Sequence, residues 1–125
     1  MLIDTDVLIW NLRGNTAAAE LLDSAQAVSI SAVSWMELVQ GVRDASELRA
    51  LHRALRFWGT TLIHVEDGIS ARASYLMEEH FLAHSLQMAD ALIAATALET
   101  GLTLVSANDR HYRCIQGLDL QVFRP

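Results

Sequence analysis

The sequence predicts an α/β fold in which βα units build a mostly parallel five-stranded sheet. Three observations carry that prediction. Five short apolar or β-branched runs recur along the chain, helix-length segments separate them, and the helical segments carry start and stop residues at their ends. The 125 residues form one domain by expectation, 1–125, since no linker or internal repeat divides them.

The strand runs are Met1–Asp4, Val28–Ile30, Leu62–Val65, Leu102–Val105 and Leu120–Phe123. Between them the helices announce themselves. Ser34 with Glu37 has capping-box spacing, and Ser31 is an alternative start one turn earlier. Asp44 and Glu47 repeat that spacing before Leu48, Leu51, Leu55 and Trp58, which share one helical face. Gly41, Gly59 and Gly101 stand where helices should stop. Asp67 opens a helix through Ile69, Ala73, Leu76 and Met77 towards Phe81. Leu86–Thr100 is apolar on nearly every side, which predicts a helix buried against the sheet.

Composition narrows the function. Hydrophobic residues make up 52% and charged residues 19%, which excludes a disordered chain. No apolar run approaches the roughly 18 residues that span a bilayer. The opening Met1-Leu2-Ile3-Asp4 has no basic stretch, and Cys114 is the only cysteine. A cytoplasmic protein without membrane attachment is the expectation. All nine basic residues are arginine, and the net charge is −6. The absence of lysine excludes Schiff-base and P-loop chemistry. The acidic balance makes non-specific nucleic-acid binding weak, so any such role rests on a few arginines or on metal ions held by carboxylates.

The acids are where chemistry gathers. Asp4 ends the first strand, and parallel sheets collect ligands beyond the carboxyl ends of their strands. Helix capping is its competing role, although Asp6 fits a cap better. Glu37 follows the second strand in an apolar surround, with the capping box as its alternative. Asp90 interrupts the apolar helix one turn in, where an unpaired buried carboxylate costs several kcal/mol. Asn108 and Asp109 follow the fourth strand, singly no more than turn chemistry, and Ser106 stands ready to orient a water or a carboxylate. Together these acids map to one sheet edge. Crowded carboxylates need a counter-ion, and an all-oxygen site favours Mg²⁺ or Mn²⁺.

Four stretches bring a family into view: Leu2-Ile3-Asp4-Thr5-Asp6-Val7-Leu8-Ile9, Ser31 to Leu38 around Glu37, Ala89-Asp90-Ala91-Leu92-Ile93-Ala94-Ala95, and Leu104 to Tyr112 around Asn108. In order and spacing the chain resembles PIN-domain ribonucleases, most closely the VapC-type toxins of toxin–antitoxin pairs. The resemblance implies a three-layer α/β/α sandwich (PIN-like), and an endoribonuclease that hydrolyses RNA phosphodiester bonds with metal-activated water and leaves 5′-phosphate and 3′-hydroxyl ends. It makes Asp4 and Asp90 the principal metal ligands and Glu37 the third acid. Asn108 or Asp109 completes the pocket, and Ser106 stands where the family usually has threonine. It also implies a cognate antitoxin that blocks the pocket with a basic side chain, and a homodimer.

Two other readings compete. Asp4-Thr5-Asp6-Val7 also fits a haloacid-dehalogenase-type phosphatase with Asp4 as nucleophile, against which the missing lysine counts. An inactive PIN-like module that only binds RNA or protein is the third. Among the remaining residues, Arg110 and Arg113 follow the pocket and suit RNA phosphates, whereas Arg49, Arg53 and Arg56 read as a solvated helix face. His80 and His84 have metal-ligand spacing without a third ligand in view, and Cys114 reads as a small core residue.

Overall fold

The computed structural model describes all residues from Met1 to Pro125. Along the chain run β1 (Leu2–Ile3), α1 (Thr5–Leu12), α2 (Thr16–Ser24), β2 (Ser29–Ser31), α3 (Ala32–Gln40) and α4 (Ala45–Phe57). They continue with β3 (Thr61–Ile63), α5 (Asp67–His84), α6 (Met88–Thr100), β4 (Leu104–Ser106), α7 (Asp109–Tyr112) and β5 (Leu120–Val122).

The five strands form one sheet in the order β3-β2-β1-β4-β5, and every pairing is parallel. The order reverses at β1, which pairs with β2 on one side and β4 on the other. That switch point opens a crevice at the carboxyl ends of β1 and β4, the place where such sheets bind ligands. Asp4 follows β1 there, and Ser106 ends β4.

Successive residues of a strand point to opposite faces, and the cores follow that alternation. Leu2 and Leu104 pack with Ile69, Leu76, Ile93 and Tyr112 beneath α5 and α6. Ile3 and Val105 pack with Val7, Leu22, Leu38 and Leu51 beneath the helices of the other face. β1 and the Leu104-Val105 part of β4 are covered on both sides, which is why they read as apolar runs. The three-layer α/β/α arrangement is thus present, with the sheet parallel throughout.

Local punctuation explains most boundaries. The Asp44 side chain accepts from the Glu47 amide at 2.9 Å and starts α4. Gly101 ends α6 in the left-handed region, φ 69°, where glycine has no Cβ penalty. Three expectations shift. Ser31 caps α3, through its hydroxyl and the Val33 amide, so Ser34 and Glu37 make no capping box. Asp4 caps α1 in place of Asp6. Asn108-Asp109 is more than a turn, because α7 starts at Asp109.

In α6, Ala91, Ala94, Ala95 and Ala97 are buried, which lets the helix lie close to its neighbours. Enlarging one of them has nowhere to go. Ala95→Leu is expected to cost roughly 1–3 kcal/mol in urea denaturation, and an unchanged midpoint would show that this interface is loosely filled.

Candidate active site

Asp4 is placed by the end of β1 and the start of α1. It is 4% exposed. Its Oδ1 accepts from the Thr5 amide at 2.8 Å, and Oδ2 accepts from the Ser106 hydroxyl at 2.7 Å and the Tyr112 hydroxyl at 2.9 Å. All three partners are neutral donors. Burial, reinforced by the neighbouring Asp6 charge, pushes the Asp4 carboxyl up to about 7. Asp6 is pushed up as well, chiefly by burial. Its Oδ2 accepts from the Ala107 amide at 3.0 Å, but Oδ1 is buried with no partner.

Asp90 arrives from α6. It is the third residue of that helix, and Gln87 occupies the capping position, so Asp90 is free to face the crevice. Its Oδ1 lies 3.3 Å from the Tyr112 hydroxyl, and its Oδ2 lies 3.1 Å from His111 Nδ1. One phenol therefore touches both Asp4 and Asp90. Tyr112 is 1% exposed, and burial beside those carboxylates holds its hydroxyl protonated far above neutral pH. It is a permanent donor.

Glu37 reaches the same edge from α3, one turn further out, and is solvent-exposed. The Thr5 hydroxyl donates to Glu37 Oε1 at 2.7 Å and takes a hydrogen bond from Ser34 at 2.9 Å. Ser34, which the sequence assigned to a cap, instead helps to aim Glu37. Ser106 donates to Asp4 and accepts from the Asn108 amide at 3.0 Å.

The structure brings Asp4, Asp6 and Asp90 together around Ser106 and Tyr112, with Glu37 at the rim. Asn108 is exposed at the same edge, and its amide is tied back to Ser106. Asp109 is different. It is buried, but its Oδ2 is bound by Arg113 and its Oδ1 by Arg124 at 3.0 Å. The Arg124 hydrogen bond, with both guanidinium charges, holds its carboxyl below the usual range. Both oxygens are spent on anchoring α7 to the chain end. Arg113 is committed to that pair, whereas Arg110 is exposed and makes no ion pair.

Two functional neighbours were missed. The sequence placed no histidine among these acids, yet His111 pairs with Asp90. Tyr112 stands out in the sequence only as the end of the Leu104–Tyr112 stretch. Their signal was position alone, directly after Asn108-Asp109-Arg110 and hence one short helix beyond β4.

A buried anionic group with an unpartnered oxygen, no lysine and only neutral donors around Asp4 is an environment that suits a hard cation. Its donors are all oxygen, the set that Mg²⁺ and Mn²⁺ prefer, and Mg²⁺ needs only one or two protein carboxylates because it keeps several waters. Asp4, Asp90 and Glu37 fit that requirement.

Comparison with known proteins agrees in kind. The PIN-domain family model matches residues 1–116. Ribonuclease VapC10 of Mycobacterium tuberculosis is 36% identical over 122 residues, covering 94% of this chain and 90% of that protein. Ribonuclease VapC19 of the same organism is 34% identical over 116 residues, covering 89% and 90%. Among solved structures, a toxin–antitoxin complex from Klebsiella pneumoniae superposes with a TM-score of 0.79 at 28% identity, covering 94% of this chain and 93% of that one.

Without metal, the site dictates a pH dependence. Asp4 rests at about 7 when folded and near 3.8 as a free carboxyl. Between those values the folded state binds more protons than the unfolded state, so stability falls as pH rises. Asp109, held low, changes its contribution only below that window. Denaturation of the chelator-treated chain is expected to show stability declining from pH 4 to 7. Asp4→Asn should flatten the slope and raise stability at pH 8 by on the order of 2–4 kcal/mol. A wild-type profile that rises across that range would refute the assigned protonation.

Covering nearly the whole chain, the family model and the ribonuclease relatives agree with the parallel fold: this chain belongs to the PIN-domain family, alongside the VapC ribonucleases.

Proposed function

We propose that the chain is an endoribonuclease dependent on Mg²⁺ or Mn²⁺ and the toxin of a toxin–antitoxin pair. The observation that carries the reading is the Tyr112 hydroxyl in contact with both Asp4 and Asp90, which lie 108 and 22 residues before it. Carboxylates so far apart in sequence share one partner at the sheet's switch point. Ribonuclease relatives at 34–36% identity support the same activity.

Asp4 and Asp90 would hold the ion, and Glu37 would hold it or one of its waters. A bound divalent ion neutralises phosphodiester oxygens and makes water a stronger nucleophile near pH 7. The chain's own residues do the positioning. Thr5, Ser106 and Tyr112 lock Asp4 in one orientation. His111 and Tyr112 hold the two oxygens of Asp90. Thr5 aims Glu37 across the rim. Arg110, exposed beside the pocket, suits the RNA backbone, and Arg113 reaches phosphate only at the expense of its pair with Asp109. Asn108 stands at the pocket edge. Asp109, with both oxygens bound by arginine, takes an anchoring role and leaves the metal set.

An antitoxin fits beside Glu37. A cleft of about 470 Å³ is lined there by Ile9, Leu12, Arg13, Glu37, Leu38 and Val42. Met36 and Leu12 are exposed next to it. A partner offering apolar side chains and one basic group would cover the cleft and neutralise Glu37. The related Klebsiella structure is a toxin–antitoxin complex. Tyr75, Phe81 and Leu82 leave apolar surface on α5 for a homodimer. No helix is long and apolar enough to cross a membrane.

The phosphatase alternative fits poorly. No lysine exists to clamp phosphate.

The purified chain is expected to cut members of a broad RNA panel with Mg²⁺ or Mn²⁺ and to stop with EDTA. Asp4→Asn and Asp90→Asn should each lower the rate at least ~100-fold through loss of the ion. Tyr112→Phe removes only the hydroxyl and should weaken metal affinity or rate roughly 10–100-fold. A folded, metal-replete chain that binds RNA and leaves the whole panel intact would make it a binding module and sink the reading.

A further inference from the structure

The buried stripe of α5 ends in chemistry rather than in hydrocarbon. Ile69, Ala73 and Leu76 face the core, and the next buried position is His80, 8% exposed. His84 follows one turn later, with the two ring centroids 5.8 Å apart. Cys114, just past α7, reaches the pair from a different element. One ligand atom from each of the three lies within 4.8 Å of the others. Glu79 Oε2 lies 3.7 Å from His80 Nε2, too long for a hydrogen bond.

We propose that His80, His84 and Cys114 form a second metal site, separate from the carboxylates and selective for Zn²⁺. Tetrahedral zinc takes sulfur at about 2.3 Å and imidazole nitrogen at about 2.0–2.1 Å, which sets ligand atoms roughly 3.3–3.7 Å apart. Small side-chain rotations bring the observed group to that spacing. Two histidines at i, i+4 on a helix and one thiolate suit zinc, whereas Mg²⁺ and Mn²⁺ prefer oxygen. Glu79 or a water completes the fourth position. His84 is exposed and gives the ion an entry path. Binding breaks the Cys114 S–H bond, forms the S–Zn bond and delivers the proton to solvent. The ion would clamp the end of α5 to the turn that follows His111 and Tyr112, two of the residues that hold Asp90.

The site takes no ligand from the nuclease pocket, so it can be tested apart from RNA cleavage. The full chain, stripped with EDTA, is titrated with Co²⁺ as an optical surrogate. One equivalent should give a thiolate-to-cobalt charge-transfer band and tetrahedral d–d absorption, and added Zn²⁺ should bleach both. The band should vanish in Cys114→Ser and need at least ~10-fold more Co²⁺ in His84→Ala. It should persist in Asp4→Asn and Asp90→Asn. On the wild-type chain, equimolar Zn²⁺ should slow Cys114 alkylation at least ~10-fold, and Mg²⁺ should not. Absence of the band, its survival in Cys114→Ser, or alkylation indifferent to Zn²⁺ would each overturn the proposal.

Discussion

The hydrogen bond from Ser106 to Asp4, with the Tyr112 hydroxyl on the same oxygen, is the interaction on which the rest of the site depends. A carboxylate this deeply buried is expensive unless it is fully hydrogen-bonded or neutralised. Its donors come from the end of β4 and from α7, so Asp4 has that environment only after β1 and β4 pair and α7 docks beneath them. The sheet therefore assembles a carboxyl whose partners are all neutral donors, and burial pushes it up to about 7. The all-parallel order puts that carboxyl at the reversal between β1 and β4, where helix starts and loops converge and a ligand can enter.

Much of this was legible in the sequence, and the divide is physical. Strand runs covered on both faces read as apolar segments, so five strands and the helical spacing between them were visible, with ends displaced by a residue or two. Asp4 and Asp90 were visible because each breaks an apolar pattern. Glu37 was visible as an acid, but its role hung on which serine capped α3. That choice falls to Ser31, because the helix begins directly at the end of β2 and Ser34 is drawn to Thr5 instead. What the sequence hid were long-range partnerships. A tyrosine has no pattern to break, and nothing near Tyr112 in sequence indicates that its hydroxyl meets Asp4. Cys114 looked like a small core residue, and His80 with His84 looked one ligand short, because the third ligand sits on another element thirty-odd positions away.

Asp109 shows why residue type and position are not sufficient to assign chemistry. Asp4 and Asp109 are both 4% exposed, and both follow a strand of the same sheet. Asp109 meets two guanidinium groups and is held ionised by the protein itself. Asp4 meets an amide and two hydroxyls, which orient it without cancelling its charge. An ion arriving at Asp109 would have to displace two arginines. An ion arriving at Asp4 finds an oriented carboxylate, Asp90 within the span of one shared phenol, and an Asp6 oxygen with no partner. The fold has arginine available at this edge and places it on the acid that anchors α7. The carboxylates at the crevice meet no arginine, and the proposed affinity for a small divalent cation rests on that difference in neutralisation rather than on the number of acids present.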